Sequence, residues 1–525
     1  MCGIIGYLGT DKCRKILLDG LKQLQNRGYD SAGICLLRDN SYNLVKYASN
    51  SESNAIVKLN ESEKLKNSNF GIGHTRWATH GKKNDINSHP HISYDGKIAV
   101  VHNGIIENFK IIKNKLIQEG IYFKSQTDTE TIPNLLAFNY KKSKNFTECI
   151  KKTLTQLEGT WGLAIMNLDE PNKMYCARHG SPLLISCNED FALVASELSG
   201  FNNMISNYFI LNNNDICEIE LKNGKINYQT NMQYELKEAS KSNYALTPEP
   251  FPHWTIKEIY EQYESSLRTI SFGGRIFDNT EVKLGGLNEQ KEILKDIDNV
   301  IFLGCGTSYF AGLFGMSYFK YLCKFNVLQI FDGAEFTLED IPLIGNTLLI
   351  FLSQSGETKD LHRCVELGRD NNLFMLGVTN VVDSMIAREV HCGTYLNSGR
   401  EVGVASTKCF TSQVIALNLI ALWFSKIHKT GENKRIKVLK DLRNLPQDIK
   451  KCVKYCDEII KKEKITEIFH KNNSMFVLGK GQCEATAKEG SLKIKEISYY
   501  HAEGYSGSSL KHGPFALLDK DFPVI

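Results

Sequence analysis

The sequence is poor in proline and has no long apolar run. Its 11 prolines and 40 glycines among 525 residues exclude a collagen-like or proline-rich chain. The most apolar stretch, 414–424, is interrupted by Asn418 and falls far short of the roughly 20 residues that span a bilayer. The N-terminus has no basic lead-in to an apolar core, so we expect no signal peptide and a soluble, cytoplasmic protein.

An excess of one charge and paired cysteines are absent as well. The formal net charge is only +4, from 63 basic and 59 acidic side chains, so we expect neither nucleic acid nor a membrane surface as a partner. The 15 cysteines include no CxxC pair, which predicts neither a disulfide framework nor a zinc site. What remains is an ordinary globular composition, with 42% hydrophobic residues, and a length that suggests about two to four domains.

The first 220 or so residues alternate short strands and amphipathic helices. Apolar runs at 33–37, 98–101, 162–166 and 191–195 predict strands. From 223 the pattern becomes polar, and three prolines fall within 247–252, which predicts a linker. The predicted divisions are a first domain over 2–222, a linker over 223–255, and α/β subdomains over 256–440 and 441–525.

The second half has the pattern of a parallel α/β sheet. The apolar runs 301–303 and 348–352 each lead into a glycine- or hydroxyl-rich turn and then into a helical pattern. Residues 475–481 repeat the pattern of 300–306, which predicts a second copy of the unit. At the spacing of the first copy, the second strand of the second copy falls at 522–525, and we therefore expect that copy to be incomplete.

Cys2 is the first candidate catalytic residue. If Met1 is removed, the thiol and the α-amino group belong to one residue, and the amine can take the thiol proton without a separate histidine base. The resulting thiolate is suited to attack an amide and form an acyl-enzyme. The alternative is an incidental cysteine, because many proteins have one at this position.

Five motifs follow one another in the first 130 residues. They are 2–6 (CGIIG), 27–33 (RGYDSAG), 73–81 (GHTRWATHG), 102–108 (HNGIIEN) and 127–130 (TDTE). Together they resemble the glutaminase domain of class II glutamine amidotransferases, which are N-terminal-nucleophile hydrolases. The resemblance implies an αββα sandwich with Cys2 as the nucleophile.

The same resemblance implies a role for each motif residue. Asn103 and the Gly104 N–H would stabilise the tetrahedral oxyanion, and glycine would let the backbone approach closely. Arg76 would hold the α-carboxylate of glutamine and Asp128 its α-ammonium. Trp77, which gates ammonia passage in the family, would join Thr79 and His80 around the glutamine pocket. The alternatives are a surface ion pair for Arg76, a helix cap for Asp128 and a core position for Trp77.

A second set of motifs occupies the other half of the chain. They are 304–308 (GCGTS), 352–358 (LSQSGET), 401–408 (EVGVASTK), 493–498 (KIKEIS) and 511–514 (KHGP). They resemble the paired sugar isomerase (SIS) domains of glutamine–fructose-6-phosphate aminotransferases. The resemblance implies an α/β multidomain protein in which two doubly wound parallel SIS subdomains, the second truncated, follow the glutaminase domain.

Hydroxyl-rich turns that open helices suit a sugar phosphate, because backbone N–H groups and hydroxyls face the anion. The implied sugar-phosphate residues are Thr307, Ser308, Ser353, Gln354, Ser355, Thr358, Val404 and Ser406. Glu496 would move a proton between C1 and C2 with Lys493 one helical turn away. His512 would promote ring opening from a neighbouring subunit, which implies at least a homodimer. Helix caps, a solvated Lys–Glu pair and a structural turn histidine are the alternatives.

Two features depart from the family. Ser508-Ser509 replaces Gly-Glu before 510–514, and we assign no consequence to that change. The family's C-terminal tail, whose lysine forms a Schiff base with the open-chain sugar, has no counterpart in the sequence. We expect glutamine-dependent conversion of fructose 6-phosphate to glucosamine 6-phosphate, without a metal or organic cofactor. The alternatives are a glutaminase uncoupled from synthesis and a non-catalytic sugar-phosphate sensor.

Overall fold

The computed structural model of the protein describes residues 2–25, 30–50, 53–76, 82–143, 145–239, 247–462 and 472–525. The chain forms two compact units, Met1–Leu246 and Thr247–Ile525. Each unit has its own hydrophobic cores.

The first unit contains two sheets of mainly antiparallel strands. The described strands are β1 (Gly3–Gly9), β2 (Ser31–Arg38), β3 (Ser41–Ala48), β4 (Phe70–Arg76), β5 (His91–Ile92), β6 (Ile98–Ile106), β7 (Gly159–Asn167), β8 (Lys173–His179), β9 (Leu184–Cys187), β10 (Phe191–Ala195), β11 (Asn207–Ile210), β12 (Ile216–Lys222), β13 (Lys225–Thr230) and β14 (Lys237–Glu238). One sheet has the order β14-β11-β9-β10-β1-β4-β2-β3, and the other has the order β13-β12-β8-β7-β6-β5.

Helices cover the outer faces of both sheets. They are α1 (Arg14–Gln23), α2 (Ala55–Glu61), α3 (Phe109–Gln118), α4 (Thr131–Tyr140) and α5 (Phe146–Leu154). Ile4 and Leu8 of β1 pack with Val101 of β6 in an apolar core between the sheets. Separate cores lie under α1 and α2 and under α3 to α5. These layers make the αββα sandwich predicted from the motifs, because alternate side chains of each strand face a different layer.

All four apolar runs predicted as strands lie in strands of this unit. The stretch predicted as a linker, 223–255, differs from the expectation because it contains β13 and β14 at the edges of the two sheets. β13 pairs with β12, and most of its residues are exposed. An edge strand of this kind needs no apolar alternation, so its sequence has the composition of a loop.

The second unit is built on a parallel sheet. Its described strands are β15 (Asn299–Gly304), β16 (Val327–Asp332), β17 (Thr347–Ser353), β18 (Phe374–Thr379), β19 (Cys392–Tyr395), β20 (Ser474–Gly479) and β21 (His501–Ser506). Its helices are α6 (Trp254–Tyr260), α7 (Gln262–Thr269), α8 (Gly285–Glu289), α9 (Lys291–Leu294), α10 (Thr307–Leu322), α11 (Lys359–Asp370), α12 (Met385–Glu389), α13 (Lys408–Ile427), α14 (Glu432–Lys462) and α15 (Cys483–Ser498).

The order β16-β15-β17-β18-β19 is that of a doubly wound sheet, as predicted. One face packs on α10 and α13, and the other packs on α11 and α12. The second copy repeats the arrangement, since β20 pairs in parallel with β21 and, at Phe476, with Val524. Val524 lies in the segment where the internal repeat places a second strand.

Helix α13 forms the apolar centre of this unit. Among the described residues it alone has the length and composition that a membrane crossing requires, yet 72% of its most apolar window is buried inside the protein. Ile415, Leu419 and Trp423 of α13 belong to the core that also includes Phe302 of β15. The helix therefore has the burial of a core helix.

Candidate active site

Cys2 lies immediately before β1, a central strand of the eight-stranded sheet. Gly3 pairs with Thr75, and this register places Cys2 beside Arg76 at the end of β4. From the facing sheet, the Asn103 side-chain Nδ2 donates a hydrogen bond to the Cys2 carbonyl oxygen at 2.8 Å. Two sheets thus bring residues about 100 positions apart in the sequence to the same point.

Gly104 follows Asn103 in β6 and has a left-handed φ of +135°. A Cβ atom at this position would lie 2.0 Å from the Thr160 carbonyl oxygen, a separation that no side chain tolerates. Residue 104 must therefore be glycine for β6 to keep this path beside β7. The side-chain amide of Asn103 and the backbone of Gly104 together provide the donor types that an oxyanion requires.

Arg76 and Asp128 are buried, with 4% and 6% of their surfaces exposed. Burial lowers the pKa of the Arg76 guanidinium, and the nearby charges of Cys2, Asp128 and Asp30 oppose that shift. Asp128 Oδ2 accepts a hydrogen bond from the Ile106 N–H at 2.9 Å. Burial of Arg76 argues against the alternative of a surface ion pair. The Asp128 carboxylate binds an N–H of β6 and does not cap a helix, because α4 begins after Glu130.

Three predicted glutamine-binding residues, Trp77, Thr79 and His80, lie outside the described residues. The same is true of Arg27, Gly28 and the other positions in 26–29. The roles predicted for Trp77, Thr79 and His80 stay predictions.

Four buried histidines form a connected group beside Asn103, and no role was predicted for them from the sequence. They are His74, His89, His91 and His102. His74 contacts Asn103 directly, and Thr129 bridges His89 and His102. His74 and His102 lie within motifs quoted above, but nothing in the linear sequence shows that the His74 ring contacts the His102 carbonyl oxygen. Among the described residues, no group of three or more His, Cys, Asp or Glu side chains is placed to hold a metal ion.

In the second unit, the turns 304–308 and 353–358 lie at the carboxyl ends of β15 and β17, which are neighbours in the sheet. Ser353 Oγ lies 2.9 Å from Thr358 Oγ1 and accepts a hydrogen bond from the Gly356 N–H. Gly356 has a φ of +66°, and a Cβ there would collide with Ser384 Oγ. The second turn is thus a compact hydroxyl-lined loop that opens α11. Gln354 and Ser355 lie in the same loop and are partly exposed.

Thr307 begins α10, and its hydroxyl connects two charged residues of α15. Thr307 Oγ1 donates to Glu489 Oε1 at 3.1 Å and accepts from Lys493 Nζ at 2.9 Å. Lys493 Nζ also donates to Glu496 Oε2 at 2.5 Å. Burial raises the pKa of the Glu489 carboxyl to about 7, and the Lys493 ammonium opposes that shift. The predicted pair Lys493 and Glu496 is therefore joined to the glycine turn through Thr307.

The loop 401–407 carries Val404 and Ser406. Val404 is exposed, and the Ser406 hydroxyl donates to Glu401 Oε2 at 2.6 Å. Of the remaining predicted residues, Ser308 Oγ accepts a hydrogen bond from Gln413 of α13 at 2.9 Å. His512 is exposed, and within the described part of the chain its side chain forms no hydrogen bond with the residues named above.

Comparison with known proteins agrees with this two-unit arrangement. Residues 74–203 match the family model described as "Glutamine amidotransferase domain", and residues 293–423 and 468–525 match that described as "SIS domain".

The chain is 41% identical to a protein of Acanthamoeba polyphaga mimivirus named "Probable glutamine--fructose-6-phosphate aminotransferase [isomerizing]". That match covers 100% of this chain and 86% of the viral protein. It is 37% identical to the Clostridium perfringens protein named "Glutamine--fructose-6-phosphate aminotransferase [isomerizing]", over 100% of this chain and 85% of that protein. A solved structure, "C-terminal domain of glucosamine-fructose-6-phosphate aminotransferase from Francisella tularensis", is 32% identical. It covers 53% of this chain and 76% of its own, with a TM-score of 0.49.

Proposed function

The chain belongs to the glutamine–fructose-6-phosphate aminotransferases (isomerizing), and on that premise we propose how its residues divide the reaction. The enzyme converts D-fructose 6-phosphate and L-glutamine to D-glucosamine 6-phosphate and glutamate. Glutamine is cleaved in the first unit, and the sugar is aminated and isomerised in the second. The comparisons favour neither an uncoupled glutaminase nor a non-catalytic sensor.

In the first unit, Cys2 attacks the side-chain amide carbon of glutamine. The Cys2 α-amino group takes the thiol proton and gives it to the leaving ammonia, which leaves a glutamyl thioester on Cys2. Water then hydrolyses the thioester, which releases glutamate and restores the Cys2 thiol. The Asn103 amide and the Gly104 N–H stabilise the oxyanion of the tetrahedral intermediate. Arg76 and Asp128 hold the carboxylate and ammonium of the substrate, since their opposite charges match the two ends of an amino acid. Trp77, Thr79 and His80 complete this proposed pocket.

In the second unit, the turn residues Ser353, Gln354, Ser355 and Thr358 bind the phosphate of the sugar, while Thr307, Ser308, Val404 and Ser406 contact it elsewhere. After ammonia condenses with the C2 carbonyl, the Glu496 carboxylate moves one proton from C1 to C2, which converts the ketose framework to the aldose. Lys493 stabilises the carboxylate through the contact described above.

We also propose a homodimer or larger homo-oligomer and a cytoplasmic location. An exposed His512 supports the first proposal, because a residue at the surface of one chain is available to the sugar site of another. Burial of α13 within its own unit supports the second proposal.

The observation that carries the proposed roles is the contact of Asn103 with Cys2, because it unites the nucleophile and the oxyanion donor. Two variants test the division of labour. Cys2→Ala is expected to abolish glutamate release and to leave fructose 6-phosphate binding unchanged. Glu496→Gln is expected to preserve glutamate release and to abolish sugar isomerisation. Glutamine hydrolysis by Cys2→Ala, or unchanged isomerisation by Glu496→Gln, would refute the corresponding assignment.

A further inference from the structure

The side chain of His74 lies behind the oxyanion donor. His74 belongs to β4 and is fully buried. Its Nε2 lies 3.1 Å from Asn103 Oδ1 and 3.0 Å from the His102 carbonyl oxygen. Asn103 therefore has Cys2 on one side of its amide group and His74 on the other.

The hydrogen-bond partners determine the protonation of this ring. The Cys2 carbonyl can only accept, so the Asn103 atom facing it is Nδ2, and Oδ1 faces His74. Both atoms near His74 Nε2 are then acceptors, and Nε2 must carry the hydrogen. Burial lowers the pKa of His74 to about 3, so the ring is neutral at working pH. Its Nδ1 has no hydrogen-bond partner among the described residues.

This pattern fixes which way the Asn103 amide points. A flipped amide would place Oδ1 against the Cys2 carbonyl and Nδ2 against the Nε2–H of His74. Two favourable contacts would become one acceptor–acceptor and one donor–donor contact. Only the observed orientation directs an N–H group toward Cys2, and only an N–H group can stabilise an oxyanion.

The neighbouring histidines hold the His74 ring in place. His89 stacks on it with ring centroids 4.1 Å apart. His89 Nε2 lies 2.9 Å from Thr129 Oγ1, and Thr129 Oγ1 lies 2.8 Å from His102 Nδ1. His102 Nε2 lies 3.2 Å from the Thr160 carbonyl, so this nitrogen donates and Thr129 donates to Nδ1. The chain of donors thus runs from His89 to Thr129 to His102.

We propose that His74 is a positioning residue of glutamine hydrolysis, whose Nε2–H holds the Asn103 amide with Nδ2 directed at the oxyanion. The proposal deepens the function proposed above and rests on its assignment of Cys2 and Asn103. His74 does not touch the substrate, and it acts through Asn103. Without the Nε2–H of His74, the orientation of the Asn103 amide is defined only by its contact with the Cys2 carbonyl oxygen.

Three substitutions at position 74 separate the donor from the packing. His74→Met removes the donor and retains a large apolar side chain. His74→Gln places an amide N–H near the position of Nε2, whereas His74→Asn is too short to reach Oδ1. We expect kcat for glutamine hydrolysis to fall about tenfold or more in the Met and Asn variants. The upper limit is the effect of removing an oxyanion donor completely, which lowers kcat about 100-fold to 1,000-fold. We expect the Gln variant to recover most of the activity. KM should change little, because Arg76 and Asp128 are untouched.

His91→Met is the matched control. His91 is buried in the same group of rings and packs edge-on against His89, but its Nε2 contacts Thr127 and not Asn103. We expect its kcat to stay within about twofold of the wild-type value. An equal loss in His91→Met and His74→Met would overturn the proposal, because it would assign the effect to packing. If His74→Met fails to fold, His74→Asn and His74→Gln carry the comparison.

Two further measurements separate a failure of the His74 proposal from a failure of the Cys2 and Asn103 assignments on which it rests. An alkyl halide that carries the amino-acid head of glutamine alkylates a thiolate by displacement, which forms no oxyanion. We expect it to modify Cys2 at the same rate in wild type and His74→Met. Failure to modify wild-type Cys2 would refute the proposed nucleophile itself. In an Asn103→Ala background, His74→Met should cost no further activity. A full additional loss in that background, or slowed alkylation in His74→Met, would overturn the positioning role.

Discussion

Glu489 is a carboxyl group that the second unit buries beside Thr307 and Lys493. Only 7% of its side chain is exposed, and one of its oxygens, Oε2, has no hydrogen-bond partner in the described part of the chain. Burial raises its pKa from 4.5 to about 7. The folded protein therefore keeps a proton on Glu489 at pH values where the unfolded chain has released it.

This difference predicts a stability that falls with rising pH. The contribution of Glu489 to the free energy of unfolding is complete below about pH 4.5. It is lost as the pH rises through about 7, because the folded protein then also releases the proton. We expect the free energy of unfolding of Glu489→Gln to fall less than that of wild type between pH 5 and pH 8. The difference should be on the order of 3 kcal/mol at most. Denaturant unfolding at both pH values measures it, and identical pH dependence in the two proteins would contradict the burial argument.

In the first unit, the sequence indicates candidate residues when one local motif carries them. Asn103 and Gly104 are adjacent in β6, so a single backbone segment carries both of the oxyanion donors that we propose. The group of His74, His89, His91 and His102 could not be found in this way. Its contacts join strands of two sheets, and a histidine in an apolar strand has the same local pattern whether its ring meets Asn103 or only fills space.

The loop 401–407 is held by side chains of α6 and of the junction between α6 and α7. Glu258 of α6 accepts hydrogen bonds from the backbone N–H groups of Val402 and Gly403. Lys408 Nζ donates to Glu261 Oε2 at 2.6 Å, just beyond the loop. Burial raises the pKa of Glu258 to about 7, and the charge of Glu401 adds to the shift. The loop that we propose to contact the sugar is thus held by the buried carboxylate of Glu258 and, at its end, by the partly exposed carboxylate of Glu261.

Glu258→Gln should loosen this loop. The new amide would oppose at least one backbone N–H with its own N–H. A hydrogen bond is worth about 0.5–1.5 kcal/mol to a neutral acceptor and about 1.5–3 kcal/mol to a charged one, and Glu258, with its pKa of about 7, takes both forms near neutral pH. We expect KM for fructose 6-phosphate to rise about threefold to tenfold, while glutamine hydrolysis measured without sugar stays unchanged. Glu264→Gln, at an exposed position of α7, is the matched control and should leave both values unchanged. An unchanged KM in Glu258→Gln would show that the hydrogen bonds from Glu258 to the loop 401–407 do not position this loop for the sugar.

Elements with a buried face were predictable, and elements at an edge were not. The run at 98–101 became part of β6, since its side chains are packed in two cores. β13 and β14 fall in the stretch predicted as a linker, because a polar strand at the edge of a sheet is defined by its partner's hydrogen bonds. The role of Glu258 was equally hidden, as its contacts lie more than 140 positions along the chain.

For the whole molecule, the order of motifs predicted the order of architectures. An antiparallel sandwich precedes a parallel sheet, and the repeat of 300–306 at 475–481 corresponds to β15 and β20. These patterns are periodic and local, so they are visible in one sequence. The chemistry assigned to the two units is complementary, because the ammonia released from glutamine is the nucleophile that the sugar carbonyl needs.

Transfer of labelled nitrogen tests this account most directly. The protein is supplied with fructose 6-phosphate and glutamine carrying ¹⁵N in its side-chain amide, and both products are quantified by mass spectrometry. We expect ¹⁵N-labelled glucosamine 6-phosphate in equal amount to glutamate, and neither product from Cys2→Ala. Glutamate released from the wild-type protein without labelled glucosamine 6-phosphate would contradict the proposed transfer of ammonia to the sugar.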